Sequence, residues 1–331
     1  MSAGTIIFTG ANSSLAIPAV KHFLTNYPDH YAILTIRDPD TPSPHTDKLR
    51  AVIAPFQDRV SIRAADLSNL ASVRSLTSAI TAEIKAGSLP PLTSIICNAY
   101  YWNLNVAAEL TVDGFEKTFQ VNHLAHAILV QQLLESFGRA QDDSHTYCGR
   151  IVLFGSDTIF PGQSPLEKYP PLLPEDLQQL AKPTPETDGD HAGHGFQRYS
   201  LAKLAIVTWM YALNDHLQKP ENSHLRKITT VAINPGNLTD SRALQTNTPF
   251  MIRNMSRFLI GPLRPLFSLM DPTMRTAASA GTDVVTLALD QRFEGVKGYF
   301  TLLKEDMGPP DSLDKTKQDA LWKKTVEWSS T

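Results

Sequence analysis

Apolar residues along this chain come in short dense runs separated by longer amphipathic stretches, and the alternation is regular. Thr5-Ile6-Ile7-Phe8-Thr9 is β-branched and aromatic and ends in Gly10-Ala11-Asn12, a turn signal. Residues 31–36 and 60–64 repeat the pattern, with a loop between them that carries Pro39, Pro42 and Pro44. Further runs fall at 92–97, 150–155, 228–233 and 298–301. Runs apolar on both faces suit parallel strands covered by helices on each side. Helical periodicity fills the intervals: one helix opens at Ser13 or Ser14 and runs to about Thr25, and others cover 68–85, 112–137, 199–217 and 273–289. A tail from Asp314 puts Leu321, Trp322, Val326 and Trp328 on one stripe. This order predicts an α/β protein with a Rossmann-like doubly wound parallel sheet of about seven strands, order 3-2-1-4-5-6-7, and helices on both faces.

The rhythm breaks twice. Residues 157–198 are rich in proline and show little periodicity beyond a short helix near 175–180, and residues 237–272 are irregular but apolar, with Phe250, Met251, Phe258, Leu259, Phe267 and Met270. The expectation is a single domain over 1–331 with an insertion at about 157–198 and an apolar flap at about 237–272, both mobile in the free protein and both on the substrate side.

Composition narrows the function. Of 331 residues, 42% are hydrophobic and 19% charged, which excludes a disordered chain. A net charge of −3 gives no electrostatic reason for a nucleic-acid or anionic-membrane partner. Cys97 and Cys148 alone make neither a disulfide framework nor a Cys-rich zinc site. With no basic, apolar leader and no uninterrupted apolar stretch near the ~20 residues that span a bilayer, the cytoplasm is the expected compartment and no membrane partner is expected.

In a doubly wound sheet, ligands bind at the carboxyl ends of the strands, so chemistry is sought just after each one. After the first strand, Gly10, Asn12, Ser13, Ser14 and Leu15 lead into a helix N-terminus, where backbone N–H groups favour a pyrophosphate. Tyr199 and Lys203 stand four apart and share a helix face, and an ammonium there stabilises a phenolate and lowers the phenol's pKa. His191 and His194 lack companion ligands and read as solvated loop histidines, so no metal is expected. No G-x-S-x-G elbow surrounds Ser156, which removes a hydrolase reading.

Together with Asn98-Ala99, Asn122 and Tyr199-Ser200-Leu201-Ala202-Lys203, these motifs make the sequence resemble the short-chain dehydrogenase/reductase family over roughly residues 4–300. Two family glycines are replaced, by Ser14 and Ala16, and Tyr100 stands where the family has N-A-G. The resemblance implies NADP(H) as cofactor, with Arg37 after the second strand placed for a 2′-phosphate, complicated by the neighbouring Asp38. It also implies an adenine contact at Asp66-Leu67, cofactor contacts at Asn98, Ala99, Tyr199 and Lys203, and a nicotinamide-facing segment at Pro235, Gly236, Asn237, Leu238 and Thr239. Ser156 would polarise a substrate carbonyl, with Ser164 as a fallback; Tyr199 would be the general acid, tuned by Lys203, and Asn122 would serve a water relay. The implied activity is NADPH-dependent reduction of a ketone or aldehyde on a sizeable apolar small molecule. A catalytically inert cofactor-binding sensor or scaffold, or a non-redox epimerase or dehydratase, is the alternative.

Overall fold

The computed structural model describes residues 4–138, 149–238, 240–255, 271 and 273–330. Its strands are β1 (Gly4–Phe8), β2 (His30–Ile36), β3 (Val60–Ala64), β4 (Leu92–Ile96), β5 (Gly149–Phe154), β6 (Ile228–Asn234), β7 (Gly298–Thr301) and β8 (Lys304–Asp306). They form one sheet in the order β3-β2-β1-β4-β5-β6-β7-β8. Every pairing is parallel except the last, where Glu305 lies opposite Phe300 in an antiparallel turn-back. This eighth strand extends the expected seven; its residues are all exposed and charged, so no apolar run announces it.

The two-residue alternation of each strand divides the core into two layers. Ile7, Ile33, Ile95 and Ile151 point to one face, Ile6, Phe8, Ile96 and Val152 to the other, all buried. The first face is covered by α3 (Leu70–Lys85), by α4 (Lys117–Phe119, a π-helical turn Gln120–Leu124, then Ala125–Leu133) and by α5 (His191–Leu217). The second is covered by α1 (Ala16–Asn26) and α6 (Ala277–Leu289), with α2 (Pro44–Ile53) against α1. Burying each large apolar side chain contributes about 1.5–3 kcal/mol. A final helix, α7 (Lys315–Ser329), buries Leu321, stacks Trp322 on Trp209 and His216 of α5 and sets Trp328 edge-on to Phe119 of α4; Val326, expected on the same stripe, is exposed.

Three boundaries differ from the sequence expectation. Helix α2 lies in the stretch read as a loop, because Pro44 falls at the start of the helix, where a missing N–H costs nothing, and Ser43 accepts from His45 N–H as its cap. Helix α5 begins at His191, not near Tyr199. Asp190 caps it, and Gly195 lets it approach the β4–α4 loop so closely that a Cβ there would meet Asn103 O at 2.3 Å. The helix after β4 starts at Lys117, with Glu116 accepting from Phe119 N–H at 2.7 Å.

The segment 157–198 is packed into the body of the protein. Ile159, Leu173, Leu180 and Ala181 join the larger core, and Ala181 O accepts from Glu116 N–H at 2.6 Å. Arg198 forms a buried ion triad with Glu186 and, at 3.6 Å, Glu116. Next to it a cavity of about 430 Å³ opens between Pro183–Asp188 and α5; neither Tyr199 nor Ser156 lines it. Among the described residues no helix is long and apolar enough to cross a membrane.

Candidate active site

The candidate residues converge at the carboxyl edge of β1, β4, β5 and β6. Gly10 takes φ +62°, and a Cβ there would stand 2.9 Å from the Ala99 backbone, so only glycine lets the first turn nestle against the end of β4. Asn98, buried, fixes that turn with its side-chain amide, donating to Thr9 O (2.9 Å), Gly10 O (3.1 Å) and Ser13 Oγ (3.1 Å). Ala99 N–H donates to Thr9 Oγ1 at 3.0 Å, and His126 Nε2 lies 3.0 Å from the same hydroxyl. The first turn of α1 holds no acidic residue, which leaves the dipole at its N-terminus uncompensated by a carboxylate. Leu15 is buried at that entrance, and Asn12 Nδ2 donates to Thr46 Oγ1 at 3.1 Å. Ser14 Oγ accepts from Arg242 N–H at 3.2 Å, which ties this turn to the chain after β6.

At the end of β2, Arg37 is exposed and forms no hydrogen bond or ion pair among the described residues. Asp38 turns away from it. Its carboxylate accepts from Asp40 N–H (2.9 Å), Thr41 N–H (3.3 Å) and Thr41 Oγ1 (2.5 Å), and these bonds, the Thr41 hydroxyl foremost, hold its pKa below the ordinary value. Asp66 accepts from the Ser68 N–H and hydroxyl, and Leu67 O accepts from Gln120 Nε2 at 3.2 Å.

Ser156 and Tyr199, far apart in sequence, come together: the Ser156 side chain lies beside the phenol and favours its ionised form, while its Oγ donates to Asp157 Oδ1 at 3.1 Å. Ser156 is held by its backbone, with Tyr299 donating to its carbonyl at 3.1 Å, while its Oγ caps the short Asp157–Ile159 helix. Ser164 instead accepts from Leu166 N–H in its own turn. Lys203 is buried, donates to Phe154 O at 3.1 Å and places Nζ 5.8 Å from the centre of the Tyr199 ring. Burial pushes its pKa down from 10.5 to about 8, against the opposing pull of the Cys97 thiol. The phenol moves opposite to the sequence expectation. Burial raises it, Tyr100 and Asp157 raise it further, and the Ser156 side chain recovers only part. Asn122 sits in the π-helical turn of α4, and its side chain accepts from Tyr101 N–H (2.9 Å) and donates to Tyr101 O (2.6 Å).

Beyond β6, Gly236 takes φ +84° and a Cβ would strike Thr273 O at 2.4 Å. Asn237–Leu238 pair with Met274–Arg275 in a separate two-stranded ribbon. Pro235 precedes this turn; Thr239 lies outside the described residues, as do most of the apolar flap's aromatic residues.

Sequence reasoning passed over Trp102. Its ring meets Tyr199 edge-on, 5.4 Å between centroids, and its indole N–H donates to Ala243 O (3.1 Å) and Thr246 O (3.3 Å). It packs with Leu104, Phe196, Leu166, Leu244 and Ile252 in a small apolar cluster separate from the core. The aromatic run Tyr100-Tyr101-Trp102 was the available signal. His194 stacks on Tyr169, centroids 4.3 Å apart, and among the described residues no group of His, Cys, Asp and Glu could hold a metal.

Residues 242–331 match the family described as the AcuH dehydrogenase domain. The short-chain dehydrogenase iccH of Talaromyces variabilis is 30% identical, the match covering 96% of this chain and 93% of the relative. Human polyprenol dehydrogenase is 26% identical, covering 97% of this chain and 83% of its own length. Among solved structures, the fold is similar to that of an NADPH-bound carbonyl reductase from chicken fatty liver, with a TM-score of 0.59 at 16% identity, covering 93% of this chain and 95% of that one.

Proposed function

This chain belongs to the short-chain dehydrogenase/reductase family of nicotinamide-dependent oxidoreductases, and from that premise we propose that it is an NADPH-dependent reductase of ketones or aldehydes on medium-to-large apolar molecules. The observation that carries the reading is the convergence of the Ser156 side chain and the Lys203 amine on the Tyr199 phenol, with Lys203 Nζ 5.8 Å from the ring centre. The strand ends fit the cofactor. The Gly10–Leu15 turn and the α1 N-terminus take the pyrophosphate, Asp66, Leu67, Asn98 and Ala99 the adenosine, Pro235–Thr239 the nicotinamide end, and the unpartnered Arg37 the 2′-phosphate. Bound there, the reduced nicotinamide supplies a hydride to the substrate carbonyl carbon.

The protein's own residues handle charge and the proton. Ser156 Oγ orients the carbonyl oxygen and shares the negative charge that develops on it, and Tyr199 Oη gives that oxygen its proton. A phenol pushed up by burial is fully protonated at neutral pH, the state a proton donor requires. Lys203 steadies the phenolate left behind, and the π turn at Asn122 offers backbone carbonyls for a water chain that returns the proton. The apolar cluster around Trp102 excludes water and suits a bulky apolar substrate, a reading that a polyprenol dehydrogenase among the relatives supports. The whole of 1–331 acts as one catalytic domain, with Leu166, Leu244 and Ile252, from the segments after β5 and β6, walling the substrate beside Trp102.

Tyr199→Phe tests the assignment. Cofactor affinity stays within about threefold, while turnover, followed as NADPH oxidised per mole of alcohol formed from a panel of apolar ketones, falls about 10²–10⁴-fold. A variant retaining more than a tenth of the rate removes Tyr199 as the acid, and wild-type conversion without stoichiometric NADPH use points to epimerisation or dehydration.

A further inference from the structure

Both positions where the chain departs most from its family's cofactor motifs touch the same short stretch of backbone. Ser14 Oγ accepts from Arg242 N–H at 3.2 Å, and the Tyr100 phenol lies beside the Ser241 side chain. Residues 241–247 form a strap fastened on one side to the β1–α1 turn and on the other to the loop after β4. There Trp102 holds Ala243 O and Thr246 O, Asn247 Nδ2 donates to Trp102 O at 3.1 Å, and Leu104 N–H donates to Asn247 O at 2.8 Å. Ser14 and Tyr100 therefore have a role in place of the lost glycines: they hold down a cover.

The strap carries one cation. Arg242 donates from Nη2 to Asn12 O at 3.0 Å, which sets its guanidinium over the first turn; its Nε is shielded from solvent and has no hydrogen-bond partner among the described residues. Partial burial already pushes this guanidinium's pKa down, with Tyr100 opposing. A half-buried guanidinium with a spare donor, above a turn whose helix start has no acidic residue, is suited to an anion.

We propose that Arg242, delivered by a strap latched to Ser14 and Tyr100, is a ligand of the cofactor's pyrophosphate and closes that crevice from above. This rests on the reading of the site as a dinucleotide site and assigns it a contact from the far side of the sheet, more than two hundred residues along the chain from the glycine turn. Arg37 reads the 2′-phosphate, so it separates NADPH from NADH. Arg242 would grip what both share.

Dissociation constants by calorimetry decide it, for NADPH, NADH, ADP and AMP on the wild type, Arg242→Ala and Arg242→Lys, each variant first shown to melt like the wild type. One charge-assisted hydrogen bond is worth roughly ten- to a hundredfold in affinity. The expected result is that Arg242→Ala weakens NADPH and NADH by the same factor, roughly tenfold or more, and removes most of the wild-type preference for ADP over AMP, with lysine restoring part of it. Unchanged constants for all four would overturn the proposal and leave Arg242 a structural latch. A loss confined to NADPH would overturn it by moving Arg242 to the 2′-phosphate. Failure of the wild type to bind any of the four is a different result: it rejects the dinucleotide site itself.

Discussion

Removing the charge of Lys203 probes the electrostatics of the site more directly than any other change. The amine is buried, 5.8 Å from the Tyr199 ring centre, and burial brings its pKa to about 8. At an effective dielectric near 20, unit charges about 6 Å apart interact by about 3 kcal/mol, which is about a hundredfold in rate if the full phenolate charge develops. Carbonyl reduction needs a protonated phenol and a protonated amine. The phenol, pushed above its ordinary value, keeps its proton throughout the working range, so the amine alone sets the alkaline limb. kcat/KM for reduction should hold level below about pH 7 and fall through pH 8, approaching a floor up to about a hundredfold lower. Lys203→Met, which keeps an unbranched chain of similar length, should sit near that floor and show no limb. Initial rates of NADPH oxidation with one saturable ketone, at constant ionic strength, provide the profile. A methionine variant that retains the wild-type limb, merely scaled down, would refute the argument by assigning the titration to another group.

Arg37→Ala should weaken NADPH roughly ten- to a hundredfold while leaving NADH within about threefold, since the guanidinium has no partner among the described residues; equal losses in titrations of both cofactors would make it a surface residue. His123 and His126 are buried, and burial lowers each from 6.5 to about 3. Between those values the unfolded chain binds protons that the folded chain refuses, so stability is fully present above about pH 6.5 and is lost as pH falls toward 3, by at most about 1.4 kcal/mol per unit for each histidine. Urea midpoints at several pH values should therefore fall steeply with acid for the wild type and less steeply for His123→Gln; parallel slopes would contradict the burial argument.

The parallel part of the sheet was legible because its signal is local: seven apolar runs, each closed by a turn, give its seven parallel strands and their order once right-handed crossovers are assumed. Elements whose signal was hidden by their own chemistry were lost. Pro44 made α2 look like loop, Gly193 and Gly195 concealed the first turns of α5, and the charged β8 resembles a surface turn. At the site, residue types and order pointed to Ser156, Tyr199 and Lys203, and the structure brings these three together. What the sequence could not reveal is how these side chains are tied to the rest of the fold: Ser14 Oγ also accepts from the Arg242 N–H, and Asp38, a rival for the phosphate on sequence alone, is held by Thr41. The direction of the Tyr199 shift was equally hidden, because desolvation depends on Trp102 and Tyr100 closing around the ring.

The ribbon in which Asn237–Leu238 pair with Met274–Arg275 gives the chain between them a closed neck. A loop whose two ends are already tied together can change length at little thermodynamic cost, about 0.6 kcal/mol for each doubling. The neck is rooted in the framework, through Gly236 against Thr273 and Arg275 paired with Asp283 at 2.5 Å on α6, so changes within the loop need not disturb the sheet. On the proposed function, which sets this loop on the substrate side, substrate range would be held in an exchangeable cassette. Transplanting the chain between Leu238 and Met274 from a relative, while keeping the Ser241–Asn247 fastening, should exchange ketone preference and leave cofactor choice where it was.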